Sequence, residues 1–477
     1  MSEFGELLPI RSLIEGCWPG EWGSDPSGDD GNCVVFRATD IDSEGHLNLE
    51  GGASRDVLSS KLKAKSLQIG DILLEASGGA PDKPVGRVAL VNQQPCRPSL
   101  TSNFFRFIRP VKSIDARFFL FQLVALNKSS SIWKYQQQTT GLINLKVEDY
   151  LRHKVWSPSK AHQKRIADIL TGIDTTIEKT AALIAKYQQI KSGLMHDLFT
   201  RGVLPNGQLR PPREQAPELY QQTAIGWIPR GWQFELLDKL ASRGSGHTPN
   251  KNIPEYWNGG IKWVSLADSH RLDQLYISDT EFQISHQGIQ NSSAVLHPAG
   301  IVVLSRDAGV GKSAITTEPM AVSQHFMCWK CDQRMDNHFL YYWLQFHKRT
   351  FENIAMGSTI LTIGLPYFKK MKVACPVDLE EQRNIAAKLK AVDARMLSLQ
   401  DELSKLKKKK QGLMQDLLTG KVLVKIKEPD MADGSPPSRP ESEEGAGLAR
   451  ARRDNPLEVF DNGGHRGHDA LNKKELA

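Results

Sequence analysis

Asp307-Ala-Gly-Val-Gly-Lys-Ser313 is the stretch nearest in type to a phosphate loop. A phosphate loop wraps its ligand with backbone N–H groups and needs a glycine five residues before its Gly-Lys-Ser. That position is Arg306, so the match fails and a turn between two strands is expected instead. Cys328-Trp-Lys-Cys331, with His325 and His338 nearby, has one metal-knuckle spacing. A structural zinc site usually needs a second such pair, so two half-buried cysteines of a strand are expected. Nuclease chemistry of the common kind holds magnesium with an Asp/Glu-x-Lys tripeptide beside a further Asp, and the chain has no such tripeptide. The Asp/Asn/Ser-Pro-Pro-aromatic motif of adenine methyl transfer is missing too, because Ser435-Pro-Pro437 is followed by Ser438. Neither Gly-x-Ser-x-Gly nor His-Glu-x-x-His occurs. The expectation is a chain without catalytic residues, metal or cofactor of its own.

What remains is binding chemistry. Short polar and basic side chains gather at turns: Arg243, Ser245, His247, Thr248, Lys251, Asn252, Ser265, Arg306, Lys312, Ser313 and Thr359 late in the chain. Arg37, Thr39, Lys83, Arg87, Gln137 and Thr140 do the same early in the chain. Arg and Lys can bond guanine edges, Asn and Gln adenine edges, and Ser and Thr phosphates. Taken singly, each is an ordinary solvated surface group. Their grouping at turns of a repeated frame suits duplex reading. The run Lys405-Leu-Lys-Lys-Lys-Lys410 reads as a solvated helix face or as a phosphate contact.

The frame that must position them is a repeat. Gln163-Lys-Arg-Ile166-Ala167 and Gly193-Leu-Met-His-Asp197-Leu-Phe-Thr200 return, 219 residues on, as Gln382-Arg-Asn-Ile385-Ala386 and Gly412-Leu-Met-Gln-Asp416-Leu-Leu-Thr419. That period is too long for a solenoid and means two similar halves. Alternate steps of four and three from Ile166 give Leu170, Ile173, Ile177, Thr180, Ile184, Tyr187, Lys191, Leu194 and Leu198. The same steps from Ile385 give Leu389, Val392, Met396, Leu399, Leu403, Leu406, Lys410, Leu413 and Leu417. An apolar stripe of 3.5-residue period over four heptads is a coiled-coil seam, and its obvious partner is its own copy. At a rise of about 1.5 Å per residue, Ile166 to Leu198 spans about 48 Å. The pair reads as a rigid spacer between two globular units, against two amphipathic helices packed on one core.

At 477 residues the chain has room for two to four domains. A net charge of +7 permits a nucleic-acid partner without demanding one. Six scattered cysteines fit a reducing cytosol. No apolar run is long enough to span a membrane, and the N-terminus lacks the basic and apolar regions of a signal peptide.

In order, residues 1–158 form a first globular unit, 159–204 a long helix, 205–222 a linker, 223–376 a second unit and 377–424 a second long helix. Residues 425–477 are poor in large apolar residues and read as a disordered tail. Strands are expected near Cys33–Phe36, Asp71–Leu74, Val85–Val91 and Phe104–Ile108, and a helix over Ala116–Leu126. Trp263-Val-Ser-Leu-Ala-Asp268 repeats the apolar frame of Val35-Phe-Arg-Ala-Thr-Asp40, and Phe339-Leu-Tyr-Tyr-Trp-Leu344 that of Phe118-Phe-Leu-Phe-Gln-Leu123. Their polar residues differ, as expected of related modules with different targets.

With the duplicated His162-Gln163 and Glu381-Gln382 openings, the Gly-Leu-Met-x-Asp-Leu-x-Thr closes and the Pro229-Arg-Gly-Trp232 entry, the chain resembles the DNA-specificity subunit of type I restriction–modification enzymes over roughly residues 1–424. The series from Arg243-Gly-Ser-Gly-His-Thr-Pro through Trp263–Asp268 to Leu304–Ser313 belongs to the same pattern. The first unit departs from it, with Trp18-Pro-Gly-Glu-Trp22 in place of a clean entry. The resemblance implies an α+β fold: two similar α/β target-recognition domains separated by two long helices in an antiparallel coiled coil. It implies double-stranded DNA as ligand and a bipartite, asymmetric site. It also implies two methyltransferase subunits as partners, with restriction (helicase–nuclease) subunits joining through them. S-adenosylmethionine, ATP and magnesium would be held by those partners, in a prokaryotic cytoplasm. The other reading is a coiled-coil interaction protein with two carbohydrate- or peptide-binding modules.

Overall fold

In the computed structural model, which describes residues 5–28, 30–80, 82–139, 141–357 and 361–426, the repeat is visible strand by strand. The first unit has an antiparallel sheet ordered Ile14–Pro19, Phe105–Pro110, Ile72–Glu75, Val88–Leu90. In the second, Ala241–Ser245, Phe326–Cys331, Val302–Ser305 and Ser313–Thr316 follow the same order. Beside each runs a smaller mixed sheet. Cys33–Phe36 lies parallel to Ser99–Thr101, as Trp257–Val264 lies parallel to Met320–Val322. The strand expected over Val85–Val91 is confined to Val88–Leu90.

One helix covers each larger sheet. Ala116–Lys128 starts where the Asp115 carboxylate accepts from the backbone N–H groups of Arg117 and Phe118; Asn337–Phe346 starts where Asp336 accepts from Phe339. A carboxylate there satisfies otherwise unpaired amides and favours the helix dipole. Both helices are apolar nearly all round and are buried accordingly.

The long helices run Lys160–Thr200 and Leu379–Leu417 and pack along the expected stripe. Ile166, Leu170, Ile173 and Ile184 are buried, as are Ile385, Leu389 and Leu399. Ile177, Val392, Met396 and Leu403 are half-buried in the same seam. The two lysines sharing a seam position explain the direction. Lys191 Nζ lies 2.6 Å from Asp393 and Lys410 Nζ 2.7 Å from Asp174. Late residues of each helix thus meet early residues of the other, which makes the pair antiparallel. Lys410 is buried, so burial works against its charge. Hydrogen bonds and ion pairing to Asp174 and Glu44 outweigh that and hold its ammonium above the ordinary lysine value. The run Lys405–Lys410 therefore divides: Lys405, Lys407, Lys408 and Lys409 are exposed, whereas Lys410 is a seam residue.

Gln163 and Gln382 explain the opening of each repeat. Both are buried. The Gln163 carboxamide accepts from the Asp115 N–H at 2.9 Å and donates to Pro158 O at 2.8 Å. Gln382 accepts from the Asp336 N–H and donates to Pro376 O, both at 2.8 Å. One side chain thus ties the start of the long helix to the cap of the unit's own helix and to its last strand. A carboxamide can donate and accept in that way without charge.

Two features differ from the sequence expectation. The 205–222 segment is not a bare linker: Arg210 is buried in an ion pair with Glu381, and Tyr220–Thr223 pairs with Gly226–Pro229. The Trp232 indole donates to the same Glu381 at 2.9 Å, so the Pro-x-Gly-Trp entry is locked onto the second long helix. The first unit's counterpart of that entry is not Trp18–Trp22. Strand Glu6–Pro9 pairs with Lys154–Ser157 as Trp232–Leu236 pairs with Lys372–Pro376, so the entry is at Glu6–Pro9.

Each core takes residues from both long helices. Ile166, Ala167 and Leu170 from the start of the first join Met414, Leu417 and Leu418 from the end of the second in the first unit's core. Met195, Leu198 and Phe199 join Ile385, Ala386 and Leu389 in the second. Residues 5–426 accordingly belong to a single compact unit rather than to separable domains. Apart from Lys425 and Ile426, the tail expected over 425–477 lies outside the described residues.

Candidate nucleic-acid interface

Four segments converge at one end of each unit. In the second, the His247 N–H donates to Val322 O, the Arg306 N–H to His325 O, and the Ile363 N–H to Arg306 O. This ties segments 246–248, 306–309, 323–325 and 361–363 together. In the first, the Glu21 N–H donates to Thr101 O, the Ala76 N–H to Phe104 O, and Ser77 and Gly79 pair with Asn144 and Ile143. The corresponding segments are 20–22, 76–79, 102–104 and 142–145. Gly20 and Gly246 allow the approach. A Cβ on Gly20 would lie 2.1 Å from Ser102 O, and one on Gly246 1.6 Å from Val322 O. Gly78 turns through positive φ in one unit; in the other Ala308 (φ 42°) does so, followed by Gly309. A non-glycine residue there carries strain held by its surroundings.

The sequence candidates fall into four groups. Ser245, His247 and Thr248 lie at or beside the second unit's convergence, with Ser245 and His247 exposed. Gln137 is exposed on the strand Gln136–Thr139 beside the first, and Lys83 is exposed in the neighbouring turn. Lys251, Asn252, Arg37 and Thr39 are exposed on adjoining loops.

A third group is tied to the protein itself. Arg87 makes two hydrogen bonds to Glu75, at 2.6 and 3.0 Å, and these raise its guanidinium above the ordinary value. Arg306 donates to Ile363 O, Lys312 to Ser269 O, and Arg243 pairs with Asp238. Ser265 and Ser313 are buried. Ser265 caps a short turn through Asp268, as Arg37 does through Asp40, and Ser313 accepts from Gln345. Neither serine offers a surface contact, so both are corrected to framework residues. Thr140 and Thr359 lie outside the described residues.

The residues that resembled active sites are structural. Asp307–Ser313 turns between the strands Val302–Ser305 and Ser313–Thr316, with no helix after it to receive phosphate. Cys328 and Cys331 lie three apart on one strand, so their side chains leave opposite faces. Burial pushes the Cys328 thiol up to about 12. Among the described residues no cluster of His, Cys, Asp or Glu is placed to hold a metal, and no helix is long and apolar enough to cross a membrane.

The family model of the type I restriction modification DNA specificity domain matches residues 29–189 and 229–408, one copy on each unit with its long helix. The chain belongs to that family. Relatives in the specificity family include the type I restriction enzyme MjaVIII specificity subunit of Methanocaldococcus jannaschii. It is 26% identical, with 64% of this chain and 71% of the relative covered. The HindI specificity subunit of Haemophilus influenzae is 23% identical, covering 72% of this chain and 84% of the relative. The crystal structure of a type I restriction–modification S subunit from M. genitalium shares the fold, with a TM-score of 0.52 at 14% identity, over 87% of this chain and 96% of that one. Membership of the specificity family sets aside the carbohydrate- or peptide-binding alternative.

Sequence reasoning missed Gln324, which stands at the tip of the turn 323–325. A signal was present: Ser102-Asn-Phe-Phe105 and Ser323-Gln-His-Phe326 are a second fixed-offset match, with the same Ser and Phe ends and different centres.

Proposed function

We propose that this chain is the specificity subunit of a type I restriction–modification complex and reads a bipartite, asymmetric site in double-stranded DNA. Each unit engages one half-site with the loops that converge at its end, and the half-sites lie about one helical turn apart, roughly 34 Å. The antiparallel helices set the unread gap and dock two methyltransferase subunits, which carry the restriction subunits. S-adenosylmethionine, ATP and magnesium belong to those partners. The target adenine is flipped from the duplex there, since a stacked base cannot be modified. The site of action is the prokaryotic cytoplasm. The observation that carries this reading is the pairing of two equivalent frames, bearing different loop residues, on one reciprocal strut.

The test is co-purification with a methyltransferase subunit, followed by sequencing of the methylated sites. Replacing residues 1–158 with the matching unit of another family member should change one half of the site and leave the other. A change in both halves would refute modular reading. Lengthening both long helices by one heptad should widen the gap.

A further inference from the structure

Gln324 is exposed at the centre of the second unit's converging loops, yet its carboxamide is not free to turn over. The constraint begins at Asp307, which is buried. Its Oδ2 lies 2.7 Å from His325 Nδ1. A carboxylate only accepts, so Nδ1 carries a proton, and a ring protonated there alone presents Nε2 as an acceptor. Gln324 Nε2 lies 3.4 Å from His325 Nε2 and, with the ring in that tautomer, donates to it. On the other side the Thr248 hydroxyl donates to Gln324 Oε1. The amide nitrogen is thereby held toward His325 and the oxygen toward Thr248. One N–H and one oxygen lone pair remain unused, side by side on an exposed residue.

A fixed donor–acceptor pair has one good match among base edges in the major groove. Adenine offers the N7 acceptor beside the N6 amino donor, whereas guanine offers two acceptors. We propose that Gln324 reads an adenine in the half-site bound by the second unit, with His325, Asp307 and Thr248 positioning its carboxamide. This rests on the specificity reading above and adds the residue and the base. The equivalent turn of the first unit has Asn103 and Phe104 in these places. Phe104 can neither donate nor accept through its side chain, so the first unit has no such lock.

The experiment uses the full chain assembled with its methyltransferase subunits, with methylated sites sequenced genome-wide and binding to duplexes measured by competition. Gln324→Ala should lower discrimination at one A·T pair of one half-site by about 5- to 150-fold, leaving the other half-site unchanged. Gln324→Arg should move the preference at that pair toward G·C. His325→Ala should relax the same pair by a smaller factor, because the amide is then free to flip. A merely structural histidine would not single out one base pair. Adenine reading by Gln324 is overturned if Gln324→Ala keeps every base preference, or if it weakens all duplexes equally with discrimination intact. If the wild-type complex itself shows no sequence preference, the specificity reading fails instead.

Discussion

The same place in the two halves is packed in one and open in the other. At the end of the first long helix, Phe199 stacks on Phe346 at 5.3 Å and His196 lies against the same ring. The corresponding residues at the end of the second helix are Leu418, Ala125 and Gln415. All three line a cavity of about 1080 Å3, with Met414, Trp156 and Lys410 around it. Three rings have become an alkyl chain, a methyl group and an amide, and the frame has not closed over the difference. The apolar stripe and the caps are thus enough to set the architecture, while aromatic filling at its ends can vary between the copies.

The ion pairs put the largest number on this comparison. Lys410 is buried against two carboxylates, while Lys191 is more exposed and has one. Lys410→Met should cost about 3–5 kcal/mol, because Asp174 is left buried without its cation. Lys191→Met should cost about 1–2 kcal/mol, as for loss of one charged hydrogen bond. Urea unfolding of both variants gives the two values; equal costs would show that the halves do not differ in energy here. The glutamines test the opposite expectation, that the joints are equivalent. Gln163→Leu and Gln382→Leu should each cost about 2 kcal/mol by leaving a buried N–H and C=O unpaired. A large difference between the two would break the equivalence.

The cavity itself gives a smaller effect. Ala125→Phe restores the ring of the second half and should raise stability by about 1 kcal/mol, read as an increase in Tm. The smallest effect is a pH dependence confined to the first half. His46 hydrogen-bonds to Asp42 at 2.7 Å and lies 3.3 Å from Glu178 of the first long helix. The hydrogen bond to Asp42, with the nearby charge of Glu178, raises its pKa above 6.5 against the effect of burial. A raised histidine stabilises fully below the unfolded value and stops doing so as pH rises through the folded one. Relative to His46→Gln, the wild type should therefore lose its small Tm advantage as pH rises from about 6.5. A constant difference would show that protonation of His46 does not tie this loop to the helix.

The seam and the doubling of the frame were legible in the sequence, because they rest on spacing, and spacing survives substitution of polar residues. The antiparallel direction came only with the family resemblance, and the Lys191–Asp393 and Lys410–Asp174 pairs give its physical basis. Ile166 through Leu403 occupy the stripe their positions imply. The polar loops were less legible, since residue type does not say which way a side chain turns. Ser265 and Ser313 read as surface donors but satisfy buried framework groups, and Arg87 and Arg306 spend their N–H groups on Glu75 and Ile363. Gln324 was hidden for the converse reason: its orientation comes from Thr248 and Asp307, distant in sequence. The entry of the first unit was misplaced because Trp18 suggested the signature, whereas strand pairing at Glu6–Pro9 decides it.

Each long helix begins in one core and ends in the other, and this bears on how the molecule comes apart. If the first unit melted alone, it would withdraw its shared core from Met414, Leu417 and Leu418, and so release the end of a helix whose start, at Ile385, holds the second unit together. Melting of the second unit would do the same through Leu198 and Phe199. Partial unfolding of either half therefore exposes apolar surface belonging to both, and the loss should spread rather than stop at a domain boundary. The chain is doubled in its frame and indivisible in its folding.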